Sequence, residues 1–239
     1  MRRDILHIID RQVRRSQEAQ RAARHVPGGR EAEAEPRAVI TISRQLGSGG
    51  RLVAQKLAER LGWGLWDKEL VDAIAESAEV SRRIVEQFDE RTVSEIELFV
   101  RSVAGETDVG GFIYRRQLAR AVASIARHGN AVILGRGANF LLKGALNVRT
   151  VASEEVRVKN LMTFEGLTRE EALEQMRRSD RERAAFVWQT FGKDLHDPLA
   201  YDLTITMDRF SIDGAVEIIL SAPRGWEAPW PTGQGSGPE

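Results

Sequence analysis

Cysteine is absent from all 239 residues. That excludes a disulfide framework and any metal site built on thiolates. Net charge is absent too, because 35 basic side chains meet 35 acidic ones. A general nucleic-acid binder carries a basic excess instead. No apolar run approaches the ~20 residues that a membrane-spanning helix needs. The opening MRRDILHIIDRQ is broken by Asp4, Asp10 and Arg11, so no signal-peptide core fits there. The expectation is a soluble, cytoplasmic protein with no nucleic-acid partner and no membrane span. Hydrophobic residues at 42% and charged residues at 29% leave enough apolar surface for a sizeable core.

Composition divides the chain into three zones. Residues 1–37 read as an N-terminal helix followed by a linker. Ile5, Leu6, Ile9 and Val13 recur at helical spacing, and the Pro and Gly of HVPGGREAEAEPR then break the helix. From Met1 to Arg24 arginine outnumbers acid. Two readings stand for this helix: a solvated face, or a surface for a membrane, a second copy of the chain or another protein. Residues 223–239 are dominated by Pro, Gly and Ser and read as a flexible tail, in which Trp226 and Trp230 are out of character.

Residues 38–222 read as one α/β domain. Strand candidates are AVITIS (Ala38–Ser43), NAVILG (Asn130–Gly135), NVRTVA (Asn147–Ala152) and YDLTITM (Tyr201–Met207). Helical stretches fill the intervals, which implies a parallel sheet with helices on both faces. The block from Asp67 to Arg127 carries no convincing strand and reads as an all-helical insertion over the sheet. Ligands in such folds sit beyond the carboxyl ends of the strands, where an insertion can act as a lid.

SRQLGSGGRLVA, Ser43 to Ala54, is the strongest local signal. A strand runs into Gly47, Ser48, Gly49 and Gly50, and a helix starts directly afterwards. Small residues let backbone N–H groups turn inward, and the helix N-terminus adds partial positive charge, which together make a cradle for phosphate. A tight turn that merely needs glycine is the plainer alternative. The pattern G-x-x-x-x-G-K-[ST] would place its first Gly at Arg44, its Lys at Gly50 and its hydroxyl at Arg51. All three are missing, and with the hydroxyl goes the usual Mg²⁺ ligand. Arg44 and Arg51 flank the cradle, and either guanidinium could stand in for the lysine by forking onto phosphate oxygens.

A second cationic cluster lies in MRRSDRERAAF, on a helix opened by a capping box of Thr168 and Glu171. At 100° per residue Arg177, Asp180 and Arg181 share one side, while Arg178 and Arg183 point elsewhere. Phosphoryl transfer needs positive charge on the migrating group, which lid arginines can supply. A salt-bridged surface helix is the bland reading of the same run. Tyr114, Arg115, Arg116 and the DER at Asp89–Arg91 are weaker candidates for touching an acceptor. His196 and Asp197 read as turn residues.

ITISRQLGSGG, LAERLGWGLWDKELV, VILGRGANFLL and RRSDRERAAF with DPLAYDLTITM together resemble the cytidylate-kinase-like family, over about Ala38 to Ala222 and in matching order. The resemblance implies a five-stranded parallel sheet, a helical monophosphate-binding region, an arginine lid, and transfer of the ATP γ-phosphoryl group to CMP or dCMP. It implies that Gly47, Ser48, Gly49, Gly50 and Arg51 hold the donor phosphates. Asp67 falls near the monophosphate, and Arg136 matches the arginine of a GRD-type motif whose acid is replaced by Gly137. Asp180 and Arg183 match a D-x-x-R spacing. No Mg²⁺ ligand can be named. ATP and Mg²⁺ are the implied cofactors. Arg51, Arg136, Asp180 and Arg183 are the expected catalytic set, with Arg177 and Arg181 assisting Asp67 and Arg136 at the acceptor. The rival reading is a nucleotide sensor on the same fold, its catalysis lost with the lysine, the hydroxyl and the acid.

Overall fold

In the computed structural model the described residues are 7–9, 11–14, 39–77, 81–82, 84, 90–104 and 109–222. The linker after Arg24, Asp89 and the tail with Trp226 and Trp230 lie outside them. Elements follow in the order β1 (Val39–Arg44), α1 (Gly50–Leu61), β2 (Gly64–Trp66), α2 (Lys68–Glu76), α3 (Glu90–Ala104), α4 (Val109–His128), β3 (Ala131–Leu134), α5 (Ala138–Leu141), β4 (Leu146–Val151), α6 (Glu154–Glu165), α7 (Arg169–Phe191), β5 (Leu203–Thr206) and α8 (Ile212–Ser221). A 3₁₀ turn at Pro198–Ala200 precedes β5.

The five strands form one sheet in the order β2-β3-β1-β4-β5, and every pairing is parallel. Such a sheet must be covered on both faces, and β3 shows how the sequence meets that demand. Ala131 and Ile133 enter one core while Val132 and Leu134 enter the other, and all are essentially inaccessible to solvent. Val53, Leu57, Val216 and Ile219 of α1 and α8 close the second face. Burying each such side chain contributes on the order of 1.5–3 kcal/mol.

The first face is closed by the helices between Asp67 and Arg127. Val71 and Ile74 of α2, Val100 of α3, and Leu118, Val122 and Ile125 of α4 join Trp66 and Ile133 in one cluster. This block therefore supplies a structural layer, rather than an insertion free to act as a lid. The N-terminal segment joins the same layer. Residues 7–9 and 11–14 are helical, Ile9 and Val13 are buried in that core, and the Gln12 amide donates to the Leu65 carbonyl at 3.2 Å. The chain's own core thus takes up these two apolar positions, while His7, Arg11 and Arg14 on the same segment stay exposed. Among the described residues no helix is long and apolar enough to cross a membrane.

A smaller cluster lies apart from the sheet. Val158 and Leu161 of α6 pack on Ala172 and Met176 of α7, pairing the two helices beside the phosphate loop. Thr168 and Glu171 form the reciprocal capping box that starts α7.

Candidate active site

β1 ends at Arg44, and the chain then turns through Gly47 and Gly49, both at φ +79°, a region that glycine enters without steric cost. Gly49 caps α1 with no side-chain hydrogen bond, and the first turn of the helix carries no acid. Among the described residues no protein group accepts from the N–H groups of Gly47, Gly49, Gly50, Arg51 or Leu52. Ser48 faces inward: its hydroxyl donates to the Gln45 carbonyl at 2.9 Å and lies 3.0 Å from the Thr150 hydroxyl. The loop therefore presents open donors at an uncapped helix N-terminus, and an anion is the complement of that arrangement.

Beside the loop, beyond the carboxyl ends of β1 and β3, lies a cavity of about 280 Å³. Its walls carry four cations, Arg44, Lys68, Arg136 and Arg183, and one acid, Glu182. Arg44 is largely buried, and its pKa is drawn down to about 10, first by desolvation and then by the neighbouring Arg183 charge. Burial likewise lowers the pKa of Arg183. Both remain cations at neutral pH, and their mutual repulsion favours a multivalent anion between them.

Arg136 sits at φ +55°, just past the end of β3. Its guanidinium pairs with Asp72 at 2.5 Å and lies 4.8 Å over the Phe186 ring. Tyr114 donates to the other Asp72 oxygen at 3.4 Å and meets Phe186 edge to face. Burial raises the Asp72 pKa against the pull of Arg136, and burial pushes the Tyr114 phenol up to about 12. This network orients Arg136 while leaving its Nε without a partner.

The arginine-bearing helix α7 is tied to the loop through Arg157 of α6. Its two terminal nitrogens grip Asp180 at 2.8 and 2.9 Å, and its Nε donates to the Leu46 carbonyl at 2.6 Å. Asn160 donates to the Gly47 carbonyl at 2.8 Å, and Arg183 closes the connection by donating to the Arg44 carbonyl at 2.5 Å. Replacing Arg157 with Met strands Asp180 and frees Leu46. Asp180 is about a third exposed, so the cost is set at the lower end for a broken buried pair, about 1–3 kcal/mol. Thermal melts should show a fall of about 2–12 °C; a melt unchanged within 1 °C would show that the bridge carries no stability.

The model of the cytidylate kinase-like family matches residues 39–209, most of the chain and the whole of this site. The chain belongs to the cytidylate kinase-like family. A cytidylate kinase of Pyrococcus furiosus is 28% identical over 185 residues, covering 77% of this chain and 87% of the relative. Another from Methanothrix thermoacetophila is 29% identical over 188 residues, covering 78% and 98%. A crystal structure of an uncharacterised protein from Eubacterium ventriosum, 22% identical, superposes with a TM-score of 0.57 over 80% of this chain and 99% of that one, which speaks for the shared fold. Membership and these relatives support a phosphotransferase of the nucleotide-kinase kind.

Against that family frame, the expected residues separate into two groups. Arg44, Arg136 and Arg183 line one cavity, whereas Gly47, Ser48, Gly49 and Gly50 are not among its lining residues and adjoin it through Arg44. Asp67 caps α2, accepting from the Leu70 N–H at 3.2 Å, and burial raises its pKa. Arg51 lies 3.9 Å from Asp67, is largely exposed and is not among the residues lining the cavity. Arg177 and Arg181 are exposed on the outer side of α7, which corrects the grouping of these two with Asp180. Asp180 and Arg183, separated by less than one helical turn, form the inward face instead. Asp197 caps the 3₁₀ turn as a turn residue does, accepting from Leu199 N–H at 2.9 Å. Arg116 pairs with Glu97, and Arg91 with Glu95.

Two of the departures from the kinase pattern, at Gly50 and Gly137, have a steric counterpart. A Cβ at Gly50 would come within 2.2 Å of the Thr150 hydroxyl and 2.6 Å of the Arg44 Cβ. One at Gly137, where the family motif places an acid, would meet the Phe191 ring at 2.2 Å. The cradle fits a nucleoside triphosphate's phosphates, since its donors are open. Among the described residues no three His, Cys, Asp or Glu side chains gather and the Ser48 hydroxyl is committed to Gln45 and Thr150, so a Mg²⁺ bound with the nucleotide would take most of its ligands from phosphate oxygens and water.

Proposed function

We propose that the chain is a cytoplasmic kinase that transfers the γ-phosphoryl group of ATP to CMP or dCMP. The observation that carries this reading is the convergence of Arg44, Lys68, Arg136 and Arg183 on one cavity beside a phosphate loop whose N–H donors are open. The relatives named cytidylate kinase favour a cytosine nucleotide as the acceptor.

The mechanism is positioning plus electrostatics. The loop N–H groups hold the donor phosphates, and Arg136, held by Asp72, binds the acceptor phosphate. Arg183 sits between the two and neutralises the migrating group as charge spreads onto its equatorial oxygens. The acceptor phosphate oxygen attacks Pγ in line, the bond from Pγ to the bridging oxygen breaks, and ADP leaves. No covalent enzyme intermediate forms.

ADP release with ATP and each nucleoside monophosphate in turn tests the proposal. Release that depends on CMP or dCMP is the expected result. Silence with every acceptor, alongside calorimetric ATP binding, would make the protein a nucleotide sensor.

A further inference from the structure

A phosphate loop of the ordinary kind brings its own ammonium, and this loop cannot. Gly50 stands at the lysine's place, and the contacts that its Cβ would make, with the Thr150 hydroxyl and the Arg44 Cβ, leave no path for a side chain. If an ammonium serves the donor phosphates, it comes from another element.

The four cations of the cavity differ in how far they are already committed. Arg136 is paired with Asp72 and stacked on Phe186. Arg183 donates to the Arg44 carbonyl. Arg44 is packed so closely against the β3 end that a Cβ at Gly135 would collide with its Nη1. Lys68 is the least committed of the four. It is the first residue of α2 and exposed, and it is one of the residues lining the cavity. Its charge acts on Asp72, four residues on along α2, but among the described residues no carboxylate lies within 4 Å of its ammonium. Its backbone position is fixed by the neighbouring Asp67 cap on Leu70. A lysine on such an anchor is a point charge on a flexible stem with rotatable donors, suited to following a phosphate that moves.

We propose that Lys68 supplies the ammonium that the glycine loop lacks, reaching the phosphates of the bound nucleotide from α2, across the cavity from the loop. Lys68 keeps its proton throughout and makes or breaks no covalent bond; its part is to neutralise charge. The proposal rests on the kinase reading above, and it makes the loop's lost lysine a relocation of charge.

The test uses the full chain with Lys68→Met and Lys68→Arg, and Lys193→Met as a control for loss of an exposed lysine outside the cavity. Where the wild type transfers phosphate to CMP, Lys68→Met lowers kcat by about 10²-fold. Lys68→Arg recovers part of that, Lys193→Met stays within twofold, and all three melt with the wild type. A Lys68→Met rate within twofold of wild type would overturn the proposal and leave the kinase reading standing. Where the wild type transfers nothing, the kinase reading fails, and calorimetry with ATP decides for Lys68. A tenfold weaker ATP affinity in Lys68→Met sustains the phosphate contact. Equal affinity, or no ATP binding by the wild type, overturns it.

Discussion

Arg183→Ala is expected to lower kcat for phosphoryl transfer by about 10²–10³-fold, the loss seen when one preorganised donor is removed from a developing charge. Arg183 lines the cavity with Arg44, Lys68 and Arg136, and desolvation makes its charge act through a less polar medium than water. Its position is set twice over, by its own bond to the Arg44 carbonyl and by the Asp180–Arg157 bridge one turn earlier. Arg183→Lys keeps the charge and loses the planar fork, so it should recover only a part of the rate. Arg181→Ala, on the outer face of the same helix, should leave kcat within twofold. Equal losses in Arg181→Ala and Arg183→Ala would show that the helix contributes charge in bulk and that the inward face has no special role.

Gly50→Lys restores the residue of the common phosphate-loop pattern and is nevertheless expected to abolish activity. The Cβ alone would approach the Thr150 hydroxyl to 2.2 Å and Arg44 Cβ to 2.6 Å. Relief must come from moving β4, the end of β1 or the loop. Thr150 is fully buried and hydrogen-bonded to Ser48, and β4 is paired with β1 and β5, so the loop gives way first. Overpacking of this kind costs about 1–3 kcal/mol of stability. Displaced loop N–H groups should weaken ATP binding by at least about tenfold, or 1.4 kcal/mol, read by calorimetry. A Gly50→Lys protein with raised kcat and undiminished ATP affinity would show that the loop accommodates a lysine, and would remove the need for one from α2.

Much of this fold is legible in the sequence because parallel strands buried on both faces read as continuous apolar runs. AVITIS, NAVILG, NVRTVA and YDLTITM each hold a strand, the ends differing by one or two residues. The capping box at Thr168 and the glycine stop at Gly62 are local chemistry, readable without tertiary knowledge. The lid face is different. A helical wheel gives the angle between Arg177, Asp180 and Arg183 but no direction to the core. Only Met176 and Val187, both buried, reveal that Asp180 and Arg183 point inward. Arg157, Asp72 and Asn160 escaped notice for a related reason. Each acts on a partner far along the chain, as Arg157 does on Leu46, and no spacing rule reaches that far. Val158 and Leu161 pack α6 on α7, but nothing in the local sequence says that the arginine before them holds the phosphate loop. The absence of an acid after Arg136 was visible as Gly137, while its cause, the Phe191 ring, lies in α7.

The central claim is that the cationic cavity beside the glycine loop moves phosphate from ATP to a cytosine monophosphate. The most direct test is to incubate the full chain with γ-labelled ATP, CMP and Mg²⁺ and to separate the products by ion exchange. The account predicts label in CDP, in step with the ADP formed. Label only in inorganic phosphate, or none released from ATP, would contradict it.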